Sequence, residues 1–204
     1  MWKKLLHNMD NVTKIQIAGV GGQGVVFLTN LIVEAALLSD MHVYTSEIHG
    51  LSQRGGSVTA GITIGEKSNG FIEKGGADFL IGLEILEAQR CTDYLHNKSI
   101  AVIDDFKITP YSVNAGEKKY PDHRKYFKWL QQNIQQVIFV DSTDGIKDIL
   151  RNVFLLGLVS SLPSFPLKNN EIISAMKQNV SARNLEETLL AYEKGKKFVT
   201  HNVV

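Results

Sequence analysis

Apolar residues fall in short runs along this chain, and their period changes from one segment to the next. Residues 14–18 carry Ile15, Ile17 and Ala18 and read as a first strand. Residues 23–39 follow as a crossover helix whose stretch 25–38 is apolar enough to be buried. After the break at Asp40-Met41, residues 42–46 make a second strand. Strand, helix and short strand in that order predict parallel pairing of the two strands through a right-handed crossover. Residues 57–64 alternate Val58, Ala60, Ile62 and Ile64 with Ser57, Thr59, Gly61 and Thr63, the period of a half-buried strand. The polar turn at 65–70 then predicts that Phe71 and Ile72 pair back as a short hairpin partner.

Residues 78–83 form a compact apolar strand, and residues 84–95 a helix with Ile85, Leu86, Ala88 and Leu95 on its apolar face. A strand at 99–103 ends in Asp104-Asp105, where turn capping is a better use of the carboxylates than cation binding. Residues 106–119 read as an irregular connection, 122–133 as a helix and 137–140 as a strand. Asp141-Ser142 has the capping chemistry to open a helical stretch. Residues 152–162 are almost wholly apolar and predict a helix buried on most sides, ended by Pro163 and Pro166. Residues 169–178 and 182–198 are amphipathic, with Asn169 or Asn170 capping the first and Ser181 the second. Strands alternating with helices predict an α/β fold: a three-layer Rossmann-like domain with a mostly parallel sheet and a helical C-terminal part. One such domain spans residues 1–204, with residues 1–13 as a polar leader.

Composition narrows the function. Hydrophobic residues make up 44% of 204, enough for a real core. A net charge of +1 gives no electrostatic pull toward nucleic acid or an anionic membrane. No apolar run reaches the roughly 18 residues of a membrane span. A cytoplasmic protein without nucleic-acid or membrane partners is expected. The single cysteine, Cys91, cannot by itself form an internal disulfide, an iron–sulfur site or a zinc site, and a passive buried thiol is its expected state. The histidines are scattered without metal-ligand spacing, so no metal site is expected either.

Two loops hold the candidate chemistry. The first is Gly19-Val20-Gly21-Gly22-Gln23-Gly24, between the first strand and its helix. Glycines there permit a tight turn and let a ligand phosphate approach bare N–H groups at a helix start. The bland alternative is a strand-to-helix turn with no ligand. Gln23 offers its amide either to a ligand or to the turn itself. The second loop runs on from the second strand as Glu47-Ile48-His49-Gly50-Leu51-Ser52-Gln53-Arg54-Gly55-Gly56. Arg54 can pair bidentately with a carboxylate or phosphate, or brace the loop through Glu47. Glu47 and His49 can do acid–base work or hold the loop by hydrogen bonds. Asn152 is an N-cap of its helix or a buried amide bonded to the glycine loop. Alone, Gly19-x-Gly21-x-x-Gly24 with Glu47 beyond it is the dinucleotide fingerprint, and a stand-alone NAD(P)- or nucleotide-binding oxidoreductase is one reading.

Together, Gly-x-Gly-Gly-Gln-Gly-Val and Glu-x-His-Gly-x-x-Gln-Arg-Gly-Gly-Ser-Val resemble the gamma-type subunit of 2-oxoacid:ferredoxin oxidoreductases, and within that family the members acting on indolepyruvate. Further matches follow in order: Gly75-Gly76-Ala77-Asp78-Phe79-Leu80, Glu84-Ile85-Leu86-Glu87-Ala88-Gln89-Arg90, Asn152-Val153-Phe154-Leu155-Leu156-Gly157 and Ala191-Tyr192-Glu193-Lys194-Gly195. The resemblance implies a subunit that is inactive alone and carries no catalytic residue. Thiamine diphosphate, magnesium and 4Fe–4S clusters would belong to a catalytic alpha subunit, ferredoxin would be met through the holoenzyme, and coenzyme A would lie at the interface. The candidate binding residues are then Gly19, Gly21, Gly22, Gln23, Gly24, Glu47, His49, Gln53, Arg54, Gly55, Gly56 and Asn152.

Overall fold

A computed structural model describes residues 12–49, 56–66, 68–117, 119–143 and 145–198, with only the backbone for residues 47–49, 111 and 112. Its centre is a six-stranded sheet in the order β2-β3-β1-β4-β5-β6. The strands are β1 (Thr13–Val20), β2 (Val43–His49), β3 (Ser57–Ile64), β4 (Ala77–Gly82), β5 (Leu95–Asp104) and β6 (Gln136–Val140). Strands β1, β4, β5 and β6 pair parallel, while β3 runs antiparallel to both β1 and β2. The α/β reading with a mostly parallel sheet holds.

Pairing across the sheet corrects one expectation. β1 and β2 point the same way, but β3 lies between them and the two do not pair. Antiparallel pairing keeps β2 beside β3 along the register Val43↔Ile64 to His49↔Val58, and the other edge of β3 pairs with β1 from Thr13↔Ile64 to Val20↔Ser57. Phe71 and Ile72 form no strand. Ile72 instead buries itself against Gly61 of β3, leaving Phe71 exposed.

Helices cover both faces. On one side lie α1 (Val25–Leu38), α5 (Arg151–Ser160), α6 (Asn169–Asn179) and α7 (Ala182–Lys196). Their apolar residues join Ile15, Ile17, Ile62, Phe79, Ile81 and Val102 in the larger core. On the other side α2 (Ile85–Arg90) and α4 (His123–Asn133) bury Ile85, Ala88, Tyr126 and Leu130 against Ala18, Leu80, Ala101 and Ile103. Leu28, Leu31 and Ile32 of α1 are fully buried. Truncating one of them to alanine costs about 2–5 kcal/mol.

Several boundaries differ from the sequence reading for local reasons. The helix expected to run to residue 95 ends at Arg90; a 3-10 turn, Thr92–Tyr94, follows, and Leu95 already belongs to β5. The connection after β5 carries a short helix, α3 (Tyr111–Asn114). It is tied down by Glu84, a fully buried carboxylate that caps α2 through Glu87 N–H and accepts from Ile108 N–H and the Tyr120 hydroxyl. No helix opens at Asp141; after a 3-10 turn, Asp148–Leu150, α5 starts at Arg151, so Asn152 sits inside its first turn instead of capping it. Lys168 occupies the N-cap of α6, and Ser181 occupies that of α7 without a side-chain cap bond.

Candidate functional site

The C-terminal ends of β1 and β4 meet at the turn from Gly19 to Gly24, where Leu83 N–H donates to Ala18 O. Gly19 lies in a tight place: a Cβ there would stand 3.0 Å from Gln23 Oε1 and 3.1 Å from Leu83 Cβ. Gly22 has φ +102 and Gly24 φ +79, in the left-handed region that favours glycine. At Gly24 a Cβ would also collide with the Asn152 amide. Gly22 differs, because nothing lies within 4 Å of where its Cβ would be.

Gln23 resolves to the bracing reading. Its Oε1 accepts from Val20 N–H at 2.7 Å, and its Nε2 donates to Leu83 O at 2.7 Å. One side chain thus ties the ends of β1 and β4 to the turn. Asn152 also lies against the loop. Its Nδ2 donates to Gly24 O at 3.3 Å, the carbonyl that also accepts Leu28 N–H in the first turn of α1.

The two glycine loops touch. Gly21 N–H donates to Gly56 O at 2.9 Å, just before β3 begins. Register places His49, Val58 and Gly19 on one line across β2, β3 and β1, with Glu47 opposite Ala60. Gln53, Arg54 and Gly55 lie outside the described residues, as do the side chains of Glu47 and His49.

A cleft of about 540 Å3 opens beside the turn, lined by Gly22, Gly24, Phe27, Ile149, Asn152 and Asn184 among others. A second, of about 310 Å3, lies on the other side of the turn against Gly21, Phe106, Asp148 and Arg151. Gly22, Gln23, Ile149 and Asn152 border both, and Ile149 is 77% exposed on the rim between them. The start of α1 at Gly24 and that of α7 at Ser181 both reach the larger cleft. Neither has a side-chain cap or an acid in its first turn, so their N–H groups and dipoles favour an anion there. Lys147 at the rim is paired with Glu187 across the cleft, 2.7 Å apart.

Sequence reasoning passed over Arg151, whose neighbour Asn152 was singled out. Its Nε donates to Asp104 Oδ2 at 2.7 Å, its Nη2 to Asp104 Oδ1 and its Nη1 to the Thr143 hydroxyl. The guanidinium carbon lies 4.8 Å from the centre of the Phe106 ring. Asp104 is 1% exposed, and burial lifts its pKa while the Arg151 fork offsets part of that lift. Cys91 takes no part. It is buried beneath α2, and burial with the nearby Glu87 carboxylate pushes its thiol up to about 12, too high for a nucleophile at neutral pH.

Sheet order, glycine turn and cleft define a class of protein, and residues 14–198 match the family described as pyruvate ferredoxin/flavodoxin oxidoreductase, to which the chain belongs. Within it, the chain is 32% identical over 185 residues to the indolepyruvate oxidoreductase subunit IorB of Methanothermobacter thermautotrophicus, covering 89% of this chain and 94% of the relative. The corresponding subunit of Archaeoglobus fulgidus is 31% identical over 185 residues, covering 89% and 92%. Among solved structures, the gamma subunit of a keto/oxoacid ferredoxin oxidoreductase from Geobacter sulfurreducens shares the fold with a TM-score of 0.65 at 18% identity, over 91% of this chain and 96% of that one. The 2-oxoglutarate:ferredoxin oxidoreductase of Magnetococcus marinus, solved with 2-oxoglutarate, coenzyme A and succinyl-CoA, gives a TM-score of 0.69 at 18% identity; the match covers 95% of this chain and 32% of that one.

Proposed function

We propose that this chain is the gamma-type subunit of a 2-oxoacid:ferredoxin oxidoreductase acting on indolepyruvate or related aryl pyruvates. It offers its glycine turn and the adjoining cleft to coenzyme A where it meets a catalytic subunit. The observation that carries the reading is the Gly21–Gly56 hydrogen bond, which joins the two glycine loops at the cleft in a chain similar along most of its length to indolepyruvate oxidoreductase subunits.

The overall reaction joins a 2-oxoacid, coenzyme A and oxidised ferredoxin to give an acyl-CoA, carbon dioxide and reduced ferredoxin. The bond-breaking chemistry does not fit this chain's side chains. A 4Fe–4S cluster takes several thiolates, and the sequence has one cysteine, which is buried. Among the described residues no group of three or more His, Cys, Asp or Glu is placed to hold a metal ion. On this reading thiamine diphosphate, magnesium and the clusters belong to the catalytic partner, and ferredoxin docks on the holoenzyme.

Coenzyme A suits the cleft. The N–H groups at the starts of α1 and α7 would receive its phosphates. Phe27 and Ile149 supply apolar surface for its uncharged arm. Gly22 leaves the turn bare, so a ligand can reach the backbone. Bound there, coenzyme A supplies the thiol that accepts the acyl group. This chain's part is to orient it.

Anaerobic affinity purification of the tagged protein from its native host tests the reading. A co-purified larger chain with iron–sulfur absorbance and bound thiamine diphosphate is the expected result. A colourless chain recovered alone, saturably binding NAD or NADP, overturns it in favour of the stand-alone dinucleotide reading.

A further inference from the structure

Asn152 serves the glycine turn only where it stands. Its bond to Gly24 O is 3.3 Å long, so a displacement of about half an ångström breaks it. Within the first turn of α5, Asn152 Oδ1 accepts Val153 N–H at 2.8 Å, while Leu150 at the N-cap brings no side-chain cap. The residue before Asn152 ties that turn to the sheet. Arg151 opens α5 and grips Asp104, the last residue of β5, with two donors while a third reaches Thr143 beyond β6. The Phe106 ring beneath the guanidinium holds its plane. Two strand ends are thereby drawn onto the residue that precedes Asn152.

We propose that Arg151, seated on Asp104, is a positioning residue for the glycine-turn cleft: it sets Asn152 against Gly24 and so fixes the shape of the turn. The consequence for coenzyme A rests on the function proposed above; the geometric claim does not.

Two observations favour positioning over the plainer roles. Arg151 is not a free anion receptor. Its fork is occupied, and Asp148 Oδ1 stands 3.8 Å from Nη1, so an incoming phosphate would meet a carboxylate. Nor is a buried pair by itself evidence of a stabilising role. Burial lifts the pKa of Asp104 despite the adjacent cation, and buried ion pairs are often replaced by apolar residues at little or no loss. What apolar residues cannot supply is the two-pronged, directional hold of a guanidinium on a carboxylate.

The test uses two variants of the full-length chain. Arg151→Lys keeps the charge and loses the fork. The double variant Asp104→Leu with Arg151→Met removes both charges and leaves no lone buried ion. Ser99→Ala, in the middle of β5 and five residues before Asp104, serves as a destabilised control because it removes a buried hydroxyl bonded to Ala77 O. Amide hydrogen exchange should quicken about tenfold over residues 24–28 in both variants, with α7 unchanged, and stay at the wild-type pattern there in the control. In the complex reconstituted with the catalytic subunit, the KM for coenzyme A should rise about fivefold with kcat within about twofold. Unchanged exchange at residues 24–28, or a rise spread evenly over the chain, overturns the proposal. So does a raised KM in Asn152→Ala with none in the Arg151 variants. If Asn152→Ala and both Arg151 variants leave KM unchanged while residues 24–28 loosen, the clamp stands and the coenzyme reading falls.

Discussion

Glycine is used in opposite ways at two places in this molecule. Where α5 crosses α7, Gly157 meets the Tyr192 carbonyl and Gly195 meets the Phe154 carbonyl, each from one helix into the backbone of the other. Both are glycine because there is no room for anything else. At the turn after β1, Gly22 has a left-handed φ and open space around it. The crossing is explained by what it packs against. In the turn, Gly22 is left bare: its left-handed φ accounts for the glycine, and the proposed function puts a ligand in the space beside it. Open space alone does not mark a site, since Gly75 and Gly116 also have positive φ and nothing within 4 Å; what sets Gly22 apart is that it borders both clefts.

The comparison breaks most readily at the crossing. Gly157→Ala forces two helix backbones apart and is expected to cost about 3 kcal/mol, as overpacking does. In a chain of this length that lowers Tm by roughly 10 °C in thermal denaturation. A shift under about 2 °C would mean the helices slide apart freely.

Gly24→Ala combines a left-handed φ of +79 with a collision on the Asn152 amide. About 2 kcal/mol of lost stability is expected, read as a shift in urea midpoint. Unlike Gly157→Ala, it should also raise the KM for coenzyme A. Asn152→Ala is milder, about 1–2 kcal/mol from the unpaired group it leaves, and sharpens the contrast by loosening the turn without touching the crossing.

At neutral pH the smallest effect is that of Cys91, which shows only as the solution turns alkaline. The Cys91 thiol rises from an ordinary 9.0 to about 12 in the fold, chiefly by burial. A group whose folded pKa is raised lends stability that is complete below its unfolded pKa and lost as pH rises toward the folded one. Stability should therefore decline between pH 9 and about 12 in part through Cys91, and Cys91→Ala should flatten that decline in urea titrations. At pH 8 the native thiol should resist iodoacetamide.

Much of this was legible where the signal was local. The run at residues 14–18, the glycines after it and the apolar stretch 25–38 gave the strand, turn and first helix, because period and turn chemistry are written in neighbouring residues. The alternation of residues 57–64 revealed β3, but not that it would slip between β1 and β2, since strand order is settled by long-range packing. At the site, Asn152 was found because contact with the glycine loop was one of the readings open to it, beside an N-cap and a ligand contact. Gln23 stayed ambiguous until Leu83 was seen beside it, and Arg151 was missed because its partner lies 47 residues away. Phe71 and Ile72 misled because a polar turn predicts a hairpin without saying whether a buried slot awaits the second residue.

The most direct test of the account is the steady-state kinetics of the reconstituted complex carrying Gly22→Ala. This substitution adds one methyl group in open space at the mouth of the cleft, but the left-handed φ of +102 also strains an alanine there, so a urea midpoint measured beside the kinetics separates lost contact from a distorted turn. The account predicts a KM for coenzyme A raised roughly tenfold at near-constant kcat, the mark of lost binding that is equal in ground and transition states. A KM equal to that of the wild type, in a complex that assembles normally, would contradict the claim that this turn meets the coenzyme.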